Sequence, residues 1–451
     1  MEACRADRFL AFGAGFKRRL HLIGLLHVFV VGLALIAAGC QPVEIPPTPT
    51  ATIAPTPAAT PTEAPTPTVP EGSPLRGVVR VWLSWDPQEL ESLERVVRSF
   101  QLEYPEITFE IAYFPQESLK EAFLNAGTGP SSPTLLFGPS IWGPELWVRG
   151  VLLDLQGRLG AELQQTIDPV AWSQVVYRDA VIGLPLERHG VVLYRNRAWA
   201  DDPAGTTQAW REAASDLREG ENVGLALDYG FRYSASQIAA CDGELLDEDG
   251  GLLIQGEVGI CWMNLLRDLR QVGRVTFNSD ENLDLFLGGQ AAWLLDGTWN
   301  IDRLRREIGE DRLVVDPWPV FSETESPLRG FVWTENVYLR PTQSASDLEA
   351  SWAFVRFLLN PDAQMQLADP TAARHLPALA QLDLQDPFQM QAQRALASGV
   401  GLPLIPNLDL YMEPIEGAVR SVAIQGANPE LALTIAVTKI EQALAQLEAG
   451  P

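Results

Sequence analysis

Val78-Val79-Arg80-Val81-Trp82-Leu83-Ser84-Trp85-Asp86-Pro87 joins a strand pattern directly to a helix start. Its first six residues, Val78 to Leu83, read as a short buried strand. Ser84 and Trp85 follow, then Asp86, whose carboxylate suits a helix N-cap, and Pro87, whose fixed φ suits a first helical turn. From Glu89 to Phe100 the apolar residues Leu90, Leu93, Val96, Val97 and Phe100 keep helical spacing. Pro105 stops that helix, and Ile107 to Tyr113 alternates as a second strand. A second helix, a Gly/Ser/Pro turn and the strand Thr134 to Phe137 come next. Strand, helix, strand, helix, strand in this rhythm implies a parallel sheet covered by helices, an α/β fold. Ligands of such sheets sit beyond the carboxyl ends of the strands. Ser84, Trp85 and Asp86, and later Gly138, Pro139, Ser140, Ile141 and Trp142, therefore form one candidate cleft edge.

At 451 residues the chain is too long for one compact core and suits two lobes plus extra segments. Its formal net charge is -25. Residues 1–39 carry five basic and two acidic side chains, so the remainder holds 28 basic against 56 acidic, or -28. Phosphate binding needs clustered Lys and Arg, so nucleic acid is excluded as a partner. Solubility is the plain account of the acidity.

Lys17, Arg18 and Arg19 precede an apolar run from Leu20 to Ala38 that ends in Ala37-Ala38-Gly39-Cys40. A basic start, an apolar run and small residues before a cleavage point read as a secretory signal over 1–39. The Cys after Ala-Gly resembles the lipobox of bacterial lipoproteins, which implies a lipid on Cys40 and cleavage just before it. An uncleaved membrane helix is the alternative, since about nineteen apolar residues can span a bilayer. A linker follows instead of a stop-transfer charge cluster, which favours the lipoprotein reading. Residues 41–74 hold eleven Pro and eight Thr, so 40–74 reads as a lipidated cysteine on an extended polyproline II tether.

Cys4 is lost with the signal, which leaves Cys241 and Cys261 alone together outside the cytoplasm, where a pair tends to bridge. Two buried thiols are the alternative. The mature chain has two histidines, His189 and His375, far apart in sequence and without Cys or acidic neighbours at ligand spacing, so no metal site is expected. No cofactor is expected either.

Further along, Gly183-Leu184-Pro185-Leu186-Glu187 runs into Val191-Val192-Leu193-Tyr194-Arg195-Asn196. Gly289-Gln290-Ala291-Ala292-Trp293-Leu294-Leu295-Asp296-Gly297-Thr298-Trp299-Asn300 follows, then Trp352-Ala353-Phe354-Val355-Arg356-Phe357 with Asn360-Pro361-Asp362-Ala363-Gln364 after it, and His375-Leu376-Pro377-Ala378. In this order, from about Val78 to Leu444, the chain resembles the extracellular solute-binding proteins of ABC importers, in the branch that includes maltose-binding protein. It departs from the family pattern at Pro133-Thr134, at Trp293 where Met is common, and over Gly330 to Asn336, where family glycines are missing.

The resemblance implies two α/β lobes of the periplasmic-binding type, joined by crossover strands, with the ligand between them. One lobe is expected to hold 75–189 and 299–339, the other 190–298 and 340–451. It also implies a monomer that hands a small polar solute to a membrane permease and performs no chemistry on it. A sugar site needs aromatic plates and in-plane carboxylates and amides. By the resemblance Trp85, Trp142, Trp299 and Trp333 supply the plates, with Tyr229, Tyr233 and Tyr411 from second-lobe loops. Asp86, Ser140, Glu187, Asp228, Glu335 and Asn336 are the polar candidates. Arg188 and His189 could instead hold an anionic group. Each has a plainer reading, as when Asp86 only caps its helix. An enzyme such as a surface glycoside hydrolase is the rival class, but no carboxylate pair stands in a recognisable catalytic motif. A sensor ectodomain of the same fold is the other.

Overall fold

The computed structural model describes residues 75–449 except Glu248 and Gln343. The signal segment, Cys40 and the Pro/Thr-rich linker lie outside the described residues. Among the described residues no helix is long and apolar enough to cross a membrane.

One ten-stranded sheet organises the fold. Its strands are β1 (Gly77–Leu83), β2 (Ile107–Tyr113), β3 (Leu135–Pro139), β4 (Leu184–Asn196), β5 (Gly224–Asp228), β6 (Gly273–Thr276), β7 (Ala291–Gly297), β8 (Leu313–Asp316), β9 (Phe331–Leu339) and β10 (Val400–Gly401). The main order is β2-β1-β3-β9-β4-β7-β5-β6, with β8 on β4 and β10 on β9. β1 pairs parallel with β2 and β3, as the opening segment predicts. The helix between them spans Pro87–Glu103 and buries Leu93, Val96, Val97 and Phe100 on one face. It starts in a capping box: Asp86 accepts from the Gln88 and Glu89 amides, and Glu89 reaches back to the Asp86 amide.

β4 and β9 tie the two lobes together. Leu184 and Leu186 of β4 lie in one apolar core with Val79, Val81 and Leu135. Val191 and Leu193 of the same strand lie in another, with Leu225, Leu295 and Trp262. β9 does the same, with Phe331 and Trp333 in the second core and Val337 and Leu339 in the first.

The packing divides the later chain differently from the expected boundaries. Ile301, Leu304, Ile308, Leu313 and Val315 bury against Val192, Tyr194 and Leu294, on the second-lobe side. Leu348, Phe354, Val355, Leu358 and Leu367 bury against β1, on the first-lobe side. Residues 299–330 therefore pack with the second lobe and the two helices over 345–367 with the first. The physical reason is that the chain crosses along β9, whose two ends are buried in different cores.

Cys241 and Cys261 are bridged, with Cα atoms 6.1 Å apart. A closed loop of this length restricts the unfolded chain and stabilises the fold by about 3 kcal/mol on the chain-entropy view. The Cys241→Ser, Cys261→Ser double variant is expected to melt several °C lower in a calorimeter. An unchanged melting temperature would show that the bridge contributes nothing.

Candidate functional site

Strand alternation builds the site. Residues two apart on a strand share a face, so Glu187 and His189 of β4 project together, as do Trp333 and Glu335 of β9. The antiparallel register sets Trp333 opposite His189 and Glu335 opposite Glu187, which makes one patch of four functional side chains across two crossing strands. The carboxyl end of β1 adds Trp85 and Asp86, and that of β7 adds Thr298 and Trp299. A cavity of about 230 Å³ is lined by Asp86, Glu89, Glu187, His189, Thr298, Trp299 and Arg374 among others.

The aromatic rings form a chain along this wall. Trp85 is buried, packs edge-on to His375 at 4.8 Å, and its indole N–H donates to Glu335 Oε1 at 3.4 Å. Trp333 lies 5.5 Å from Trp299, and the Arg232 guanidinium sits 5.2 Å above the Trp333 ring. Trp299 is 49% exposed, whereas Trp333 is buried. The six-membered ring of Trp299 lies over Gly297, where any Cβ would clash with it. Arg232 also lines a second cavity of about 160 Å³ with Trp142, Phe231 and Asp409. The tryptophan and arginine stack thus connects two hollows.

Charges in the wall are strongly coupled. Burial opposes ionisation of Glu187, but His189 and His375 each lie 3.4 Å from its Oε2 and hold its pKa below the ordinary value. Burial likewise disfavours the His189 cation, yet Glu187 lifts its pKa to about 9. Glu335 is pushed up to about 8 by burial, with His189 pulling the other way and Glu187 adding repulsion. A protonated carboxyl can both donate to and accept from a hydroxyl group. Two nearby cations are already committed: Arg374 to Asp302 at 2.8 Å and Arg305 to Asp386 at 2.8 Å.

Deeper in the second lobe, Asp296 is fully buried and accepts from the Gly297 amide at 2.6 Å and from Asn300 at 2.9 Å. Burial raises its pKa from 3.8 to about 7, and raises that of Asp228 to about 6. A carboxyl whose pKa is raised by folding contributes stability that is complete below the unfolded value and is lost as pH rises through the folded one. The Asp296 contribution is therefore present near pH 4 and gone above about pH 7. Asp296→Asn is expected to lessen the fall in melting temperature between pH 5 and pH 8. Parallel wild-type and variant curves over that range would refute the assignment.

Several expected site residues are not brought to the cleft. Tyr229 is buried in the second core with its hydroxyl donating to the Leu266 carbonyl at 2.6 Å. Tyr411 is buried, and its hydroxyl donates to the Gly250 carbonyl. Asn336 is fully buried and satisfied by the Gln174 carbonyl, Tyr338 and Thr334, because strand alternation turns it away from Glu335. Ser140 is buried and donates to Gln174. Arg188 also faces away, in an ion pair with Asp168 at 2.8 Å and a bond to the Pro377 carbonyl, so it holds no anionic ligand. Asp228 is buried and accepts from the Gly230 amide, and Tyr233 is buried too. Trp142 is half-buried and lines the second cavity, away from Trp299. Asp86 both caps its helix and lines the first cavity. Trp85, Glu187, Trp299, Trp333 and Glu335 do come together. Glu89, Arg232 and His375 join this candidate site without a sequence expectation. The capping-box spacing from Asp86 to Glu89 was the available signal for Glu89; His375 had none in its own neighbourhood.

A larger cavity, about 1300 Å³, lies elsewhere, between Tyr177, Arg178, Ser236, Arg329, Phe331 and Val400 among others. It holds no tryptophan. The smaller cleft lies at carboxyl strand ends and presents the exposed Trp299 ring beside Glu187, which makes it the candidate ligand site.

Solved structures share the architecture. An extracellular solute-binding protein from Staphylococcus aureus, in complex with maltose, is 16% identical, with TM-score 0.73 over 83% of this chain and 99% of that one. A maltose-binding periplasmic protein from Listeria monocytogenes, also with maltose, is 17% identical, with TM-score 0.69 over 82% and 98%. A cyclic alpha-maltosyl-1,6-maltose binding protein from Arthrobacter globiformis is 17% identical, with TM-score 0.70 over 82% and 99%. At these identities the likeness shows a two-lobed fold of this type. Among curated proteins no sequence is significantly similar. The family model of bacterial extracellular solute-binding proteins matches residues 95–395, two-thirds of the sequence and most of both lobes, and the chain belongs to that family.

Proposed function

We propose that this protein captures a neutral or weakly charged mono- or oligosaccharide between its lobes and delivers it to the membrane permease of an ABC importer. The observation that carries the reading is the patch of Trp85, Trp299 and Trp333 beside Glu187 and Glu335. Sugars present apolar C–H faces to aromatic rings and hydroxyls to carboxylates, and this wall offers the exposed Trp299 ring, backed by Trp333, beside the Glu187 carboxylate. The solved relatives that hold maltose support the same ligand class. The ligand leaves unchanged, as expected of a family of solute-binding proteins. Export and a lipid on Cys40, at the end of a stiff tether, would keep the domain at the outer face of the cell membrane. Closure of the lobes on the ligand is the state a permease reads.

A thermal-shift screen across sugars, polyols, amino acids and sugar phosphates tests the proposal. Stabilisation by at least one neutral sugar, with affinity of about 1 μM or tighter, is expected. Silence across sugars with a clear response to another class would reject it.

A further inference from the structure

The fold brings together two histidines that lie 186 positions apart, and it does so around carboxylates. His375 Nε2 is 3.4 Å from Glu187 Oε2 and 3.5 Å from Glu89 Oε1. The three ligand atoms all lie within 4.8 Å of one another. His375 is 1% exposed, and neither of its ring nitrogens has a hydrogen-bond partner. A buried imidazole that makes no hydrogen bond yet faces two carboxylate oxygens calls for an explanation.

The distances discriminate between explanations. An imidazolium bonded to a carboxylate brings nitrogen and oxygen to about 2.7–2.9 Å. The observed separations are longer by half an ångström or more. Ligands bound at about 2.0–2.1 Å around a tetrahedral zinc ion are separated by an edge of about 3.4 Å. The His375 to Glu187 and His375 to Glu89 distances match that edge. One imidazole and two carboxylates also suit a zinc-type divalent cation with a fourth position open.

The ligands are held in place by their surroundings. Glu89 Oε2 accepts the Asp86 amide at 2.6 Å, which leaves Oε1 free to face His375. The Leu367 carbonyl accepts from the His375 amide, and Trp85 packs edge-on against its ring. His189 Nε2 also lies 3.4 Å from Glu187 Oε2, so a second imidazole borders the cluster.

We infer that Glu89, Glu187 and His375 form a binding site for a divalent cation of the zinc type. Sequence spacing predicts no metal site; these three residues come from distant segments, which no local spacing reveals. The site cross-links a first-lobe helix, the crossing strand β4 and the segment before Pro377. It shares Glu89 and Glu187 with the cavity proposed for the sugar, but its test uses metal alone, so either reading can fail without the other.

The experiment strips the mature domain with EDTA, desalts it and titrates zinc chloride against a chromophoric chelator, with melting curves alongside. One ion per chain is expected, with a rise in melting temperature, since a ligand that binds only the folded state stabilises it. His375→Gln and Glu187→Gln are each expected to weaken zinc at least tenfold. Glu89→Gln is the variant least able to disturb folding, because Gln can still complete the capping box, and it too should lose at least tenfold. Absence of saturable binding to the wild-type domain overturns the inference. Undiminished binding in the Glu89→Gln variant, together with a folded His375→Gln variant, overturns it as well, because the ion would then sit elsewhere.

Discussion

Trp299→Ala is expected to weaken sugar binding at least tenfold, which corresponds to about 1.4 kcal/mol, while leaving the melting temperature of the unliganded protein nearly unchanged. The two halves of that expectation have separate causes. Trp299 is 49% exposed, so truncating it removes little buried area from the core. It is also the accessible end of the stack formed with Trp333 and Arg232, so it offers a ring face to a ligand. A fully desolvated aromatic contact is the kind of group that dominates binding energy. Gly297→Ala provides a second approach to the same point. A Cβ there collides with the indole, so the ring must swing away, and binding should weaken although no ligand-touching atom has been removed. Isothermal titration with the best sugar from the screen measures both. Full affinity in a folded Trp299→Ala variant would take this ring out of the site.

The opening segment made half of this legible. Apolar periodicity, a capping aspartate and two prolines specify β1, its helix and β2 locally, and the observed helix begins at Pro87 as those residues predict. The site was less legible because its geometry depends on strand facing. Glu187 and Arg188 are neighbours in sequence, yet one meets the cleft and the other an interior aspartate. Glu335 and Asn336 divide in the same way. Alternation could have warned that adjacent residues on a crossing strand cannot both face the ligand. Tyr229 and Tyr411 came from the family likeness instead, and each turned out to satisfy its hydroxyl on a buried carbonyl. His375 lay beyond any local reading, since its partners are 188 and 286 residues away. The lobe boundaries failed for a related reason: β4 and β9 look like ordinary buried strands from sequence, and only packing shows that each one's two ends belong to different cores.

Asp168→Asn should be the most damaging single change to stability, costing about 3–5 kcal/mol, because it leaves a buried cation without its counter-charge. Arg188 has no exposed surface, and its guanidinium meets Asp168 at 2.8 Å and the Pro377 carbonyl at 2.7 Å. The position amplifies the effect. Arg188 sits midway along β4 between residues of the two cores, and Asp168 caps the short helix Pro169–Ser173 through the Val170 and Ala171 amides. Asn keeps much of that capping ability, so the loss reads the charge pair more than the cap. Replacing both partners, as in Asp168→Asn with Arg188→Met, should recover part of the stability, since an apolar side chain of similar length needs no counter-ion. Urea unfolding with a fitted midpoint and slope measures all three proteins. A loss below about 1 kcal/mol in the single variant would place the pair with exposed ion pairs and deny it a structural role. A partial recovery would show that the single variant loses stability because Arg188 is left unpaired, and the same commitment to Asp168 explains why Arg188 is unavailable to a ligand in the cleft.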